Sequence, residues 1–259
     1  MDSGKKFVRC ETTDGVAVVK IDRPPVNALS LEVLDELRQV FSDLAARPQV
    51  LVVIITGSGD RAFVAGADIG GLKELTPGTG KEVNRMYQTT FNQIADFRRP
   101  VICALNGPAL GGGSELALAC DIRFAVDTAG FGWPEVNLGL IPAGGGTQRL
   151  PRQVPPAKAK ELIFTGRLLT AVEAERIGLV NQVVPDALAA AKEMARTIAS
   201  KGPVAVAQAK QAMNQGLGLP LPEAFALELR LSAACFGTED AKEGISAFFE
   251  KRTPEFKGK

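Results

Sequence analysis

A glutamate follows three consecutive glycines in GPALGGGSELALACD, residues 107–121, among small and apolar neighbours. Leu110, Leu116, Ala117, Leu118 and Ala119 around it argue for a buried carboxylate at Glu115 rather than a solvated one. A second carboxylate, Glu135, comes twenty positions later in Phe131-Gly132-Trp133-Pro134-Glu135. Pro134 fixes its own φ and restricts Trp133, so Glu135 is carried on stiff backbone. The chain's only tryptophan beside it, and the apolar VNLGLIP after it, favour a partly dry pocket. Two such carboxylates can divide the work of a general acid and a general base.

Glycine supplies the other half of such a site. VAGAD at 64–68 and ALGGGSE at 109–115 each follow an apolar run of strand length. Either alone reads as a tight turn. Two of them at the ends of adjacent strands can aim two backbone N–H groups at one point, the geometry of an oxyanion hole. The chain contains no histidine. That excludes Ser-His-Asp and Cys-His catalysis within the chain and any zinc site with an imidazole ligand. Carboxylates, backbone amides or a cofactor must therefore carry any chemistry near neutral pH.

Other glycine motifs fail on context. Gly57-Ser58-Gly59-Asp60-Arg61-Ala62 fits a dinucleotide fingerprint in form, but Gly66 and neighbouring breakers interrupt the helix that should bind pyrophosphate. Ser114 is not a nucleophile elbow, since Leu116 stands where GxSxG needs glycine. Gly144-Gly145-Gly146-Thr147 lacks the Gly-Lys-Ser/Thr ending of a P-loop. Cys10, Cys103, Cys120 and Cys235 are irregularly spaced and read as reduced thiols, not metal ligands or a disulfide framework. Lys+Arg 30 against Asp+Glu 29 offers no general attraction to nucleic acid or to an anionic membrane. MDSGKKFVRC lacks a secretory core and no run nears about eighteen apolar residues, so a cytoplasmic location is expected.

These residues need elements to position them. Residues 7–21 read as two strands about Thr13-Asp14-Gly15. Ser30 can cap a helix with Val33, Leu34, Leu37, Val40, Phe41 and Leu44 on its apolar side. LVVIIT at 51–56 and VICAL at 101–105 read as strands covered on both faces, and IRFAV at 122–126 as another. Residues 57–80 read as a loop, followed by a helix with Val83, Tyr87, Phe91 and Ile94 along one side. Beyond about residue 155 the strand signal fades except for VNQVV at 180–184. Helices are expected over 156–165, 171–177, 186–200, 204–215, 221–236 and 239–251. The alternation implies an α/β layer structure.

Ordered over nearly the whole chain, these segments resemble the enoyl-CoA hydratase/isomerase (crotonase) superfamily. The matching stretches include RPPVNALS at 23–30, AFVAGADI at 62–69, PVICALNGPALGGGSELALACDIRFA at 100–125, FGWPEVNLGLIPAGGGTQRLPR at 131–152, TGRLLTAVEAERIGLVNQVV at 165–184 and EGISAFFEKRTPEF at 243–256. The resemblance implies an α/β, ClpP/crotonase-like spiral of ββα units over residues 1–195. It also implies a helical C-terminal region over 196–259 that assembles trimers or dimers of trimers, with Leu227, Leu231, Phe236 and Phe248 available for packing.

Carried over position by position, the resemblance makes the Ala67 and Gly112 amides the oxyanion hole, and Glu115 and Glu135 the acid and base. Pro25, Val26, Ala65, Asp68, Ile69, Gly111, Trp133, Pro134 and Ala143 would contact an acyl-CoA thioester, with Phe248 and Lys251 reaching the nucleotide from a neighbouring subunit. No separate cofactor is implied, because coenzyme A belongs to the substrate. The chain departs from better-known hydratases at Gly70, Gly71, Trp133 and Ala143. Two glutamates favour adding water to a trans-2-enoyl-CoA over double-bond isomerisation, which needs proton transfer alone. A non-catalytic RNA-binding role on the same scaffold is the rival from another class.

Overall fold

The computed structural model describes residues 5–259, the side chains of Ile69, Gly71 and Leu72 excepted. Strands β1 (Val8–Thr13) and β2 (Val16–Ile21) form a hairpin. Asp14 and Gly15 take positive φ (49° and 78°) at its turn, as a two-residue connection between right-twisted strands requires. Helix α1 (Leu31–Ala45) starts where the Ser30 hydroxyl accepts the Val33 N–H, and it buries the six apolar residues its periodicity predicts.

A repeat follows. Strand β3 (Val52–Gly57) leads into the segment 64–67, then a 3-10 turn at Ile69–Glu74 and helix α2 (Pro77–Ala95). Next come β4 (Val101–Leu105), the short β5 (Ala109–Leu110) and α3 (Gly112–Leu118). A third round supplies β6 (Ile122–Ala125), the short β7 (Gly130–Gly132), a 3-10 turn at Pro134–Leu138 and α4 (Gly146–Gln153). Each round is a long strand, a short extended piece and a helix, the ββα unit of the expected spiral. The chain continues through α5 (Pro156–Thr165), β8 (Leu169–Thr170), α6 (Ala171–Arg176), β9 (Gln182–Val183) and α7 (Ala187–Ala199). It closes with α8 (Pro203–Gly216), α9 (Leu221–Phe236) and α10 (Glu239–Glu250).

Among the described residues the large sheet runs β1-β2-β3-β4-β6-β9, parallel except for the first pair, and β5-β7-β8 form a small one. The central strands β3 and β4 are buried along their whole length because both faces are covered. Val53 and Ile55 join Val101, Cys103 and Leu105 in the core shared with α1 and α2. Val52, Ile54, Ile102 and Ala104 face the other way, against Ala187, Ala191 and Ala195 of α7. The buried Lys210 of α8 ties the C-terminal helices to this core. Its ammonium meets the Asp121 carboxylate at 2.7 Å and the Arg99 carbonyl at 3.1 Å. Leu227 and Leu231 are buried within the chain, whereas Phe236 and Phe248 stand exposed.

Local features differ from the sequence expectation. Residues 57–80 are not all loop, because Thr76 and Thr79 cap each other's backbone and start α2 at Pro77. Helix α4 was not expected, since Pro151 and three glycines mask its period. VNQVV contributes only Gln182–Val183, an edge pair on β6. Among the described residues no helix is long and apolar enough to cross a membrane, and no three His, Cys, Asp or Glu side chains are placed to hold a metal.

Gly113 shows how tightly α3 seats on the preceding unit. A Cβ there would overlap the Val64 carbonyl oxygen and stand 2.8 Å from the Val64 side chain. The obstruction is backbone, which cannot rotate aside. Gly113→Ala is therefore expected to destabilise the fold by about 1–3 kcal/mol or more. A urea midpoint equal to that of the wild type would refute the packing described here.

Candidate active site

The short pieces of successive units lie side by side and end at one edge. Segment 64–67 bridges Leu29 on one side and Ala109 on the other, and β5 pairs in parallel with β7. The residues that follow these ends, Ala67, Gly111–Gly112 and Trp133–Glu135, thus come from three different units into one neighbourhood. Sequence distance is cancelled by parallel pairing.

Two N–H groups are left over at this edge. Leu29 donates its N–H to the Gly66 carbonyl at 2.8 Å and accepts the Asp68 N–H at 2.9 Å. In a parallel ladder the residue flanked in this way makes no bond to that neighbour. The Ala67 N–H therefore points to the opposite side, where β5 gives way to α3. Gly112 is the first residue of α3, and its N–H has no carbonyl a turn earlier to receive it. Among the described residues neither group has an acceptor within the chain. Gly111 turns the chain here with φ +49°, and a Cβ on it would lie 2.7 Å from a Glu135 carboxylate oxygen. Only glycine satisfies both the turn and the space.

Glu115 lies one turn into α3 and is 3% exposed. Its Oε1 accepts the Gly146 N–H at 2.7 Å, and the Gly144 N–H lies close enough to favour the charged form. Burial dominates its titration and lifts the pKa from an ordinary 4.5 to about 7. The Gly146 N–H opposes this, the Glu135 charge adds to it, and the Gly144 N–H and the Arg149 charge pull back down. Desolvation thus outweighs the donors at the helix N-terminus. Arg149 also braces the donor loop, reaching the Gly144 carbonyl at 3.3 Å and the Asn92 side-chain oxygen at 2.7 Å.

Glu135 sits in the 3-10 turn opened by Pro134. Burial raises its carboxyl above the ordinary range, and its Oε2 has no partner among the described residues. Trp133 is fully buried, and its indole N–H is also unpartnered among the described residues. The ring edge packs under the donor loop: Trp133 Cδ1 lies 3.1 Å from where a Gly146 Cβ would stand, and Glu115 Oε1 lies 3.0 Å from the same point. Two carboxyls with raised pKa values, one of which feels the charge of the other, can act as an acid and a base on one reacting molecule.

Other expected residues fall around this centre in different ways. Val26 accepts the Ala65 N–H at 3.0 Å and so aligns segment 64–67, while Pro25 is exposed. Asp68 is engaged by Arg23 at 2.6 Å and by the Gly70 N–H at 3.2 Å, and that N–H and the Arg23 charge lower its pKa. Ile69 begins the 3-10 turn, and its side chain lies outside the described residues. Ala143 offers its carbonyl to the Gln88 amide at 2.8 Å, beside a groove of about 690 Å³ lined by Leu75, Val83 and Leu140.

Phe248 is 79% exposed on α10, and Lys251 follows that helix. Within one chain α10 packs chiefly on α9, away from the glutamate-bearing elements. Sequence reasoning missed Gly144, Gly146 and Arg149. Their only signal was a second triple glycine, recognised merely as something other than a P-loop.

Comparison with known proteins gives this geometry a lineage. Residues 11–259 match the family model described as enoyl-CoA hydratase/isomerase. The chain is 46% identical to a short-chain-enoyl-CoA hydratase of Clostridium acetobutylicum, over 93% of each chain. It is 45% identical to a crotonyl-CoA hydratase of Syntrophomonas wolfei, over 95% of this chain and 96% of that one. A crystal structure of an enoyl-CoA hydratase from Bacillus anthracis superposes with a TM-score of 0.95 at 40% identity, covering 98% of this chain and all of that one. With sequence and backbone agreeing from one end of the spiral to the other, the chain belongs to the enoyl-CoA hydratase/isomerase family.

Proposed function

We propose that this protein adds water reversibly, and to one face, across the double bond of a trans-2-enoyl-CoA, giving a 3-hydroxyacyl-CoA. The observation that carries this reading is the pair of carboxyls, the buried Glu115 and the half-buried Glu135, beside two N–H groups with no acceptor among the described residues. The Glu115 carboxylate takes a proton from water as the water oxygen bonds to C3. Electron density moves to the thioester oxygen, where the Ala67 and Gly112 N–H groups stabilise the enolate-like charge. The Glu135 carboxylic acid gives its proton to C2. The proton count balances, with the pair's single proton moved from Glu135 to Glu115. No resident cofactor takes part, since coenzyme A is the substrate's own handle. Isomerisation would leave the water-activating role without work, so two retained acids favour hydration. A cytoplasmic location suits the acyl-CoA substrate.

The assembly we propose is a homotrimer or a dimer of trimers. Phe225, Leu229, Phe236, Phe248 and Phe249 on α9 and α10 are more than half exposed, which is unusual for side chains of that size. Their burial between subunits would carry Phe248 and Lys251 to a neighbour's coenzyme A, and residues 196–259 would then act as the oligomerisation region. Sedimentation at micromolar concentration is expected to show a trimer or hexamer. A monomer would contradict the assembly.

Glu115→Gln and Glu135→Gln are each expected to fold and to lose about 10²–10⁴-fold in kcat on crotonyl-CoA, with products separated by chromatography. Wild-type rates in both variants would sink the mechanism. A 3-enoyl-CoA turned over in place of crotonyl-CoA would favour isomerisation.

The raised pKa of Glu115 has consequences for both rate and stability. As the base, Glu115 must be ionised, so kcat should fall as pH drops below about 7. The folded state holds this proton more tightly than the unfolded state does. Wild-type stability therefore declines as pH rises from 4.5 to about 7 and stays lower above. Glu115→Gln does not titrate, so its stability relative to wild type should improve across that window by about 3 kcal/mol. Parallel stability curves for the two proteins would show that Glu115 is not raised.

A further inference from the structure

The two unpartnered amides sit on widely separated stretches of chain, and no hydrogen bond joins those stretches directly at Ala67 and Gly112. Leu110 N–H donates to the Val64 carbonyl at 3.0 Å and pairs the two stretches a few residues earlier, but an oxyanion hole works only when both donors reach the same oxygen, so their ends must be held as well. We propose that Tyr87 is the positioning residue that does so, clamping the Ala67 and Gly112 amides into one site. The proposal deepens the function above and rests on that reading.

Tyr87 is the only tyrosine in the chain and lies buried on α2. Its hydroxyl donates to the Leu29 carbonyl at 2.7 Å. That carbonyl also accepts the Asp68 N–H, while the Leu29 N–H goes to Gly66. Leu29 thus grips the backbone on both sides of Ala67, and Tyr87 anchors Leu29. The same ring reaches the other amide: Tyr87 Cε1 stands 3.1 Å from where a Cβ on Gly112 would be, with Leu29 Cδ1 at 3.4 Å from that point. One side chain therefore holds the grip on the first donor and fills the space a side chain would take on the second.

The ring is itself held. Phe91 meets it edge-on with centroids 5.8 Å apart, and Phe91 in turn approaches Gly144, whose N–H serves Glu115. A carbonyl can only accept, so the phenolic proton is committed to Leu29 and is not offered to a substrate. Burial, with the Glu115 and Asp68 charges, pushes the phenol's pKa up and keeps it a donor. Tyr87 consequently acts through the backbone rather than on the reacting atoms.

The test compares wild type, Tyr87→Phe and protein grown with 3-fluorotyrosine, which labels Tyr87 alone because it is the sole tyrosine. Each is examined for kcat and KM on crotonyl-CoA and for the infrared carbonyl stretch of bound butyryl-CoA carrying ¹³C at the thioester carbon. Tyr87→Phe keeps the ring and loses the anchor. It is expected to lower kcat about 10-fold, part of the ~10²–10³-fold lost with a whole oxyanion donor. KM should stay within about 2-fold, and the carbonyl stretch should move back toward its frequency in water. The fluorotyrosine protein keeps ring and hydroxyl and serves as the reporter, its ¹⁹F resonance expected to shift when butyryl-CoA binds.

A carbonyl frequency in Tyr87→Phe equal to that of wild type overturns the proposal, whether or not kcat falls. If the wild-type complex itself shows no lowered carbonyl frequency, the oxyanion assignment fails and takes this inference with it. A lowered frequency shared equally by wild type and variant removes Tyr87 alone. Should Tyr87→Phe not fold, 3-fluorotyrosine protein with an unshifted ¹⁹F resonance on butyryl-CoA binding would place Tyr87 away from the site and end the proposal.

Discussion

Everything in this site depends on the burial of one carboxylate among backbone donors. Glu115 is removed from water, and what remains to it are the Gly146 and Gly144 N–H groups. Unrelieved burial would hold the group neutral far above neutral pH, and full solvation would leave it an ordinary weak acid. Two donors and a nearby guanidinium leave it near 7, where both protonation states are accessible. Moving the donor loop or admitting water would change that balance, so the loop, Trp133 beneath it and Arg149 behind it form part of the chemistry.

The same requirement explains the glycines. Donors can approach the carboxylate only where their own chain has no side chain. A Cβ on Gly144 would lie 2.6 Å from Glu115 Oε2, and one on Gly146 would lie 3.0 Å from Oε1. The first triple glycine is equally constrained, with Gly111 against Glu135 and Gly113 against Val64. Glycine weakens helices and strands through backbone entropy. Here the cost falls in the segments around the two carboxylates, and the central strands β3 and β4 stay fully covered.

Much of this was legible before folding. The Ser30 cap, the Asp14-Gly15 turn and the strands around Ile54 and Ile102 depend on local sterics and short-period burial, which a sequence displays directly. Glu115 and Glu135 stood out because a carboxylate among leucines, or behind a rigid Trp-Pro pair, is costly without a purpose. Helix α4 escaped because its period is broken by Pro151 and masked by glycine, and the short strands β5, β7 and β8 because a pair or triplet of residues has no period. The roles of Tyr87 and Arg149 were also hidden. Tyr87 appears in sequence as one residue of a helix and Arg149 as one residue of an unassigned stretch, and each acquires a partner from another unit, Leu29 and Asn92.

What the sequence by itself determined was the list of chemical groups and the local shapes that carry them: two acids, exposable amides, no imidazole, and alternating strands and helices. Those follow from residue type and near neighbours. Tertiary structure decided where the groups meet and what state they are in. Parallel pairing of 64–67, β5 and β7 brings three distant ends to one edge, leaving the Ala67 and Gly112 N–H groups without acceptors. The contest between burial and hydrogen bonding at Glu115 was likewise settled only there. Desolvation is a property of everything packed around a group, and most of what surrounds this carboxylate is supplied by chain far from it in sequence.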